Sequence, residues 1–160
     1  MENYIKVKDN IVNVLRLFDL KITREEKAEE ILVNQIRESV QYEALLSENK
    51  FSIKAIATGV GKSKIGIDRI KQIVSLNKTA NIYIVVPTQK LRDVGWKNEF
   101  KKWKATRIYN KNVKIVCYDS LYKIEGEFID LLLLDEVHNI TENSSVVFKN
   151  NTINQAIGLT

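Results

Sequence analysis

Ala57-Thr58-Gly59-Val60-Gly61-Lys62-Ser63 is the stretch on which the fold of this 160-residue chain turns. An apolar run, Ser52–Ala57, leads into it, and a stretch of helical periodicity, Lys64–Leu76, follows. Glycines let backbone amides turn toward an anion, and the start of the following helix adds its partial positive charge. Lys62 and Ser63 complete a phosphate-binding loop: the ammonium can reach the outer phosphates of a nucleotide, and the hydroxyl can hold Mg2+. The strict form of this loop has another glycine five residues before Gly61, where this chain has Ile56.

Working outward, short apolar runs continue to alternate with amphipathic stretches. Asn81–Val86 is followed by Gln89–Trp103, Val113–Tyr118 by Phe128–Leu134, and Ala156–Leu159 comes last. That alternation predicts βαβ units, hence an α/β fold with an open, mainly parallel sheet flanked by helices. The run Ile129-Asp130-Leu131-Leu132-Leu133-Leu134 suits a central strand buried on both faces. It ends in Asp135-Glu136-Val137-His138, so two adjacent carboxylates are expected at the C-terminal edge of the sheet, where open α/β folds bind ligands. Asp135 there is positioned to hold Mg2+, and Glu136 to orient and deprotonate an attacking water. His138, two residues beyond the acidic pair, is the chain's one histidine.

Before Asn49 the pattern differs. Apolar positions at Ile5, Ile11, Val12, Val14, Leu15 and Phe18 predict one helix over 2–20. Thr23-Arg24-Glu25-Glu26 reads as a capping box that opens a second, running from Arg24 to about Ser47. Residues 1–50 are therefore expected to form a helical extension and residues 51–160 the nucleotide-binding part. Charge divides the same way: the first fifty residues carry net −2 and the remainder net +7, a distribution that suits a polyanion-binding surface on the second part. No apolar run approaches the roughly 20 residues of a membrane span, and no secretory leader is evident. Cys117, the single cysteine, sits among apolar neighbours and reads as a small buried hydrophobe. The expectation is a cytoplasmic protein, with nucleoid association or a viral origin compatible with it.

The two motifs, in this order on successive strand ends, resemble those of superfamily 2 helicases and translocases. Thr58–Ser63 resembles helicase motif I, which commonly lacks the first glycine, and Asp135–His138 resembles the Asp-Glu-x-His form of motif II, the DEAD/DEAH box. Pro87-Thr88-Gln89-Lys90-Leu91, with Trp96-Lys97-Asn98-Glu99-Phe100 after it, is similar to motif Ia and its following helix. Tyr118-Asp119-Ser120-Leu121 resembles the next short nucleic-acid-contacting motif, and Gly158-Leu159-Thr160 the opening of motif III. The resemblance covers roughly residues 30–160. It implies the first RecA-like, P-loop lobe of a motor, cut within motif III, with ATP and Mg2+ as cofactors.

Carried over residue by residue, Thr58, Gly59, Val60, Gly61, Lys62 and Ser63 would bind the nucleotide, Ser63 and Asp135 the metal. Lys62, Asp135, Glu136 and His138 would form the catalytic set. Gln35 is the counterpart of the family's adenine-reading glutamine, with Gln41 as its rival and a solvated helix residue as the plain alternative. Thr88, Lys90 and Ser120 would contact nucleic-acid phosphates, which position without reading sequence. Trp96, Phe100 and Trp103 are read as core anchors, with Lys97, Lys101, Lys102 and Lys104 on a solvated face. The subgroup resembled is that of double-strand translocases and restriction-type motors, which implies DNA rather than RNA as partner. Such motors close ATP between two lobes, so a second RecA-like lobe, in cis or in trans, is an implied partner. A non-catalytic nucleotide-binding module docked on a partner protein is the competing reading, and an unrelated P-loop NTPase a third.

Overall fold

The computed structural model describes residues 25–46, 50–56 and 60–160. The helix expected over 2–20, the cap at Thr23, and Thr58 and Gly59 of the loop lie outside the described residues. The chain divides into two compact units, residues 1–42 and 43–160. Helix α1 spans Glu25–Leu46, with all but its last four residues in the first unit, in the place that the periodicity from Arg24 predicts. Leu32 is buried on it, whereas Ile31 and Ile36 are exposed despite belonging to the same apolar pattern. Gln35 is exposed and Gln41 is buried. Among the described residues no helix is long and apolar enough to cross a membrane.

The second unit is a five-stranded, all-parallel sheet of order β1-β5-β4-β2-β3. The strands are β1 (Phe51–Lys54), β2 (Ile82–Val86), β3 (Val113–Cys117), β4 (Phe128–Asp135) and β5 (Thr152–Leu159). Strand β2 is buried at every position, as is most of β4, and the buried positions of both are Ile, Val, Leu and Tyr. A strand covered on both faces needs no polar alternation, which is why these runs read as continuous. Leu131 and Leu133 pack with helix α2 (Lys62–Leu76) and helix α3 (Trp96–Lys102) on one face; Leu132 and Leu134 pack with Tyr118, Leu121 and Val147 on the other.

Three features depart from the expected outline. Strand β1 is shorter than expected and lies at an edge, with Phe51 and Ile53 exposed. The helix expected over Gln89–Trp103 begins as a π-helical turn, Leu91–Gly95, before α3. The wider turn resets the helical phase, and such insertions concentrate at functional sites. Helix α4 (Thr106–Asn112) had no signal, because Lys104 ends α3 in a left-handed conformation (φ 54°) while Ala105 N donates to Phe100 O at 2.8 Å. That is a helix stop made without glycine, so nothing in the sequence marks it.

Asp130, the polar residue inside the apolar β4 run, has a structural task. Its Oδ2 accepts from Asn81 N at 2.8 Å while its own amide donates to Asn81 O at 2.9 Å. The pair fixes the start of β4 against the start of β2, and with it the register that sets both strand ends level. In urea denaturation, Asp130→Ala is expected to cost about 1–2 kcal/mol by orphaning the Asn81 amide. Leu131→Ala, at a fully buried position, should cost about 3 kcal/mol. An Asp130→Ala protein as stable as the wild type would show that the side chain does not hold the register.

Candidate nucleotide site

Because every strand is parallel, the C-terminal ends of all five lie along one edge. Helix α2 starts there at Lys62, with Gly61 as its cap at φ 98°, a conformation open to glycine and strained for other residues. Ile56, at the place of the missing glycine, is buried and donates its amide to Thr160 O at 2.8 Å. The position continues the β1–β5 pairing and needs no glycine. Strand β4 ends at Asp135, and Glu136 turns the chain away in a left-handed conformation (φ 52°). For a non-glycine residue that conformation is a local cost of roughly 1–3 kcal/mol.

The turn aims Glu136 back across the edge, where Lys62 Nζ donates to Glu136 Oε1 at 2.8 Å. The two residues that the sequence assigns to phosphate binding and to water activation thus meet, with side chains about one-fifth and one-third exposed. Trp96 Nε1 donates to Asp135 Oδ2 at 2.9 Å, and Tyr118 OH donates to the Asp135 carbonyl at 3.0 Å. Ser63 Oγ donates to Glu99 Oε2 at 2.8 Å, and Trp103 Nε1 donates to the same oxygen at 3.1 Å. A cleft of about 370 Å3 is lined by Gly61, Lys62, Ser63, Trp96, Glu99 and Asp135, closed by Leu91 and Gly95.

His138 is exposed, and its Nδ1 lies 3.2 Å from Thr160 Oγ1 and 3.6 Å from Glu136 Oε2. It ties the acidic turn to the end of β5. A Cβ placed on Gly158 would stand 2.9 Å from Val137 Cβ, so a glycine is required where β5 passes beneath that turn. Thr88 and Lys90 follow β2, and Ser120 follows β3, on the same edge as the cleft; the first two are exposed and Ser120 is half-buried. Val60 is half-buried beside Gly61. Trp96 and Phe100 are buried and Trp103 is partly so, while Lys97, Lys101, Lys102 and Lys104 are exposed, as the helical spacing predicts. Reading the aromatics as core anchors missed that both indole N–H groups point at carboxylates of the cleft, and it passed over Glu99 and Tyr118 as site residues. The available signal was the Trp96, Glu99, Trp103 spacing, which puts all three on one helix face.

A larger cavity of about 860 Å3 lies elsewhere, lined by Phe51, Ile53, Val137, Phe148, Ile153 and Ala156 among others. It lacks the loop and the acid pair, so the smaller cleft is the candidate site. Hard oxygen donors, the Ser63 hydroxyl and the Asp135 carboxylate, suit a magnesium ion. Among the described residues no group of three or more His, Cys, Asp or Glu could hold a metal by itself.

The electrostatics carry a cost. Burial raises the Asp135 carboxyl above its ordinary value, with the Trp96 hydrogen bond and Lys62 opposing and Glu136 adding to the rise. Burial, followed by the charges of Asp135 and Glu136, likewise pushes the Tyr118 hydroxyl upward, so it remains a donor. A carboxyl raised on folding binds its proton better folded than unfolded, so this site's contribution to stability falls as pH rises through the raised value. Asp135→Asn keeps an oxygen for Trp96 and removes the charge. It is expected to raise Tm by a few degrees at pH 7, a gain that shrinks as pH falls toward the ordinary carboxylate value, about 4. A lowered Tm at pH 7 would mean that the attraction of Lys62 for the charged carboxylate outweighs burial.

Comparison with known proteins adds the family. The family described as type III restriction enzyme, res subunit, matches residues 22–160. Among solved structures, the Sulfolobus solfataricus SWI2/SNF2 ATPase core in complex with dsDNA aligns with a TM-score of 0.55 at 16% sequence identity. That alignment covers 79% of this chain and 30% of that one, so the chain spans under a third of its structural relative. No curated protein matches the chain in sequence. The fold is a RecA-like lobe of the superfamily 2 kind.

Proposed function

The chain belongs to the type III restriction enzyme res-subunit family, and from that premise we propose that it is the ATP-binding lobe of a nucleic-acid-dependent ATPase. The observation that carries the reading is the Lys62–Glu136 contact, which joins the phosphate loop to the acidic strand end over one cleft. With a nucleotide in place, Lys62 exchanges Glu136 for the outer phosphates, and its release leaves Glu136 free to take a proton from water. Ser63 and Asp135 are the residues for magnesium, which when bound neutralises charge on the transferring phosphoryl group. Thr58, Gly59, Val60 and Gly61 supply backbone amides around the phosphates. His138, held on Thr160, relays the condition of the acidic turn to the end of β5.

For nucleic acid, the reading assigns Thr88, Lys90 and Ser120 to backbone phosphates, and it favours double-stranded DNA over RNA. Support comes from their shared sheet edge, the net charge of +7 over residues 51–160, and the structural relative's own complex with dsDNA. Gln35, exposed on α1, keeps its assignment to the adenine, and residues 1–50 theirs as a helical extension. Turnover needs a second lobe: an arginine brought in from another element is worth about 10³–10⁵ in rate in related phosphoryl transfer. Arg69 is engaged with Gln155 and Gln72 and Arg92 with Asp93, while Arg107 lines a separate hollow with Lys71, Lys78 and Lys111; none of the three lines the cleft.

The test is calorimetric titration of Mg-ATP into the chain. Binding is expected in the wild type and in Glu136→Gln, is lost in Lys62→Ala, and is accompanied by little or no hydrolysis. Wild-type heat that persists in Lys62→Ala would remove the phosphate loop from the account. Robust turnover by the chain alone, abolished in Glu136→Gln, would refute the need for a second lobe.

A further inference from the structure

Helix α3 supplies a partner to both oxygen-bearing side chains assigned to magnesium. Trp96, on its first turn, donates to Asp135, while Glu99, three residues on, accepts from Ser63. Trp103, four residues after Glu99, donates to the same Glu99 oxygen at 3.1 Å and so holds the carboxylate in place. The π turn before α3 sets the phase that brings this face to the cleft. A hydroxyl has one hydrogen and two lone pairs. With its hydrogen on Glu99, Ser63 Oγ has its lone pairs left for a cation.

We propose that Glu99 is a positioning residue for the magnesium-bearing nucleotide: it accepts the hydrogen bond of the Ser63 hydroxyl and so turns the serine lone pairs toward a metal, with Trp103 fixing Glu99. The proposal rests on the reading of the cleft as a nucleotide site and goes beyond it by giving Glu99 and Trp103, outside the loop and the acid pair, a part in magnesium-dependent binding. A carboxylate 2.8 Å from the loop serine repels bare phosphate. Glu99 and Asp135 line the cleft with Lys62, the one cation among the described residues lining it, and Lys62 is itself paired to Glu136. Metal-free nucleotide meets net repulsion there, and the metal-bound form meets oriented oxygen.

The readout is therefore the ratio of dissociation constants for a non-hydrolysable ATP analogue in EDTA and in magnesium, measured calorimetrically on the whole chain. In Glu99→Ala the ratio is expected to fall about tenfold, the worth of a hydrogen bond to a charged group, mainly through weaker binding in magnesium. Glu99→Gln keeps an acceptor oxygen and should restore most of that weaker magnesium-dependent binding. Ser63→Ala should lower the ratio by a similar factor, and adding Glu99→Ala to it should lower it little further. If Glu99→Ala does not fold, Trp103→Phe replaces it, with a smaller fall expected. An unchanged ratio in the folded variant, or parallel losses in EDTA and magnesium, overturns the positioning role while leaving the nucleotide site standing. A wild-type chain that binds the analogue under neither condition overturns the site itself, and this proposal with it.

Discussion

Strand β5 lies between β1 and β4, and the rest of the site depends on that insertion. Strands in a sheet are about 4.8 Å apart, so the phosphate loop and the acidic strand end are separated by roughly 10 Å at the sheet edge. That gap is too wide for backbone to close and suits two long side chains, and Lys62 and Glu136 bridge it at 2.8 Å. It also leaves room for a phosphate group between them. The parallel register brings the strand ends level, and Asp130 and Asn81 fix it between β4 and β2 at the far end. Gly158, at the end of β5, lets the turn carrying Glu136 and His138 lie directly over the strand.

Stability and chemistry are separated within the lobe. The sheet interior consists of fully buried aliphatic positions on β2 and β4 that pack in two layers. The edge, by contrast, gathers costs: a carboxyl raised by burial at Asp135, a left-handed non-glycine backbone at Glu136, and the carboxylates of Glu99, Asp135 and Glu136 against the single ammonium of Lys62. Local rules broken together at one place, over an otherwise consistent core, mark a site maintained for function. Magnesium and phosphate are the ligands that would turn those costs into attraction.

Much of this was legible in the sequence because it depends on short-range pattern. The loop Gly59–Ser63, the buried strand ending in Asp135-Glu136 and the alternation between them specify strand, turn and helix with little tertiary input. The all-parallel sheet then brings the strand ends to one edge. What stayed hidden depends on three-dimensional phase. Trp96, Phe100 and Trp103 have the spacing of core anchors, and they are that; but the indole N–H groups of Trp96 and Trp103 lie outside what hydrophobic periodicity can report. Glu99 looks like a solvated residue on a basic helix until the π turn at Leu91–Gly95 rotates it onto Ser63. Helix α4 escaped notice because Lys104 ends α3 in a conformation that glycine usually marks. In α1 the periodicity predicts the helix and fails to predict that Ile31 and Ile36 are exposed.

The central claim is that Lys62 changes partner, from Glu136 to phosphate. A crystal structure of the chain with magnesium and a non-hydrolysable ATP analogue tests it most directly. The account predicts the phosphates in the cleft between Gly61 and Asp135, with Lys62 Nζ on a phosphate oxygen and beyond ion-pair distance, about 4 Å, from Glu136. An analogue seated elsewhere, with the 2.8 Å Lys62–Glu136 contact intact, would contradict it and leave that pair a structural bridge at the sheet edge.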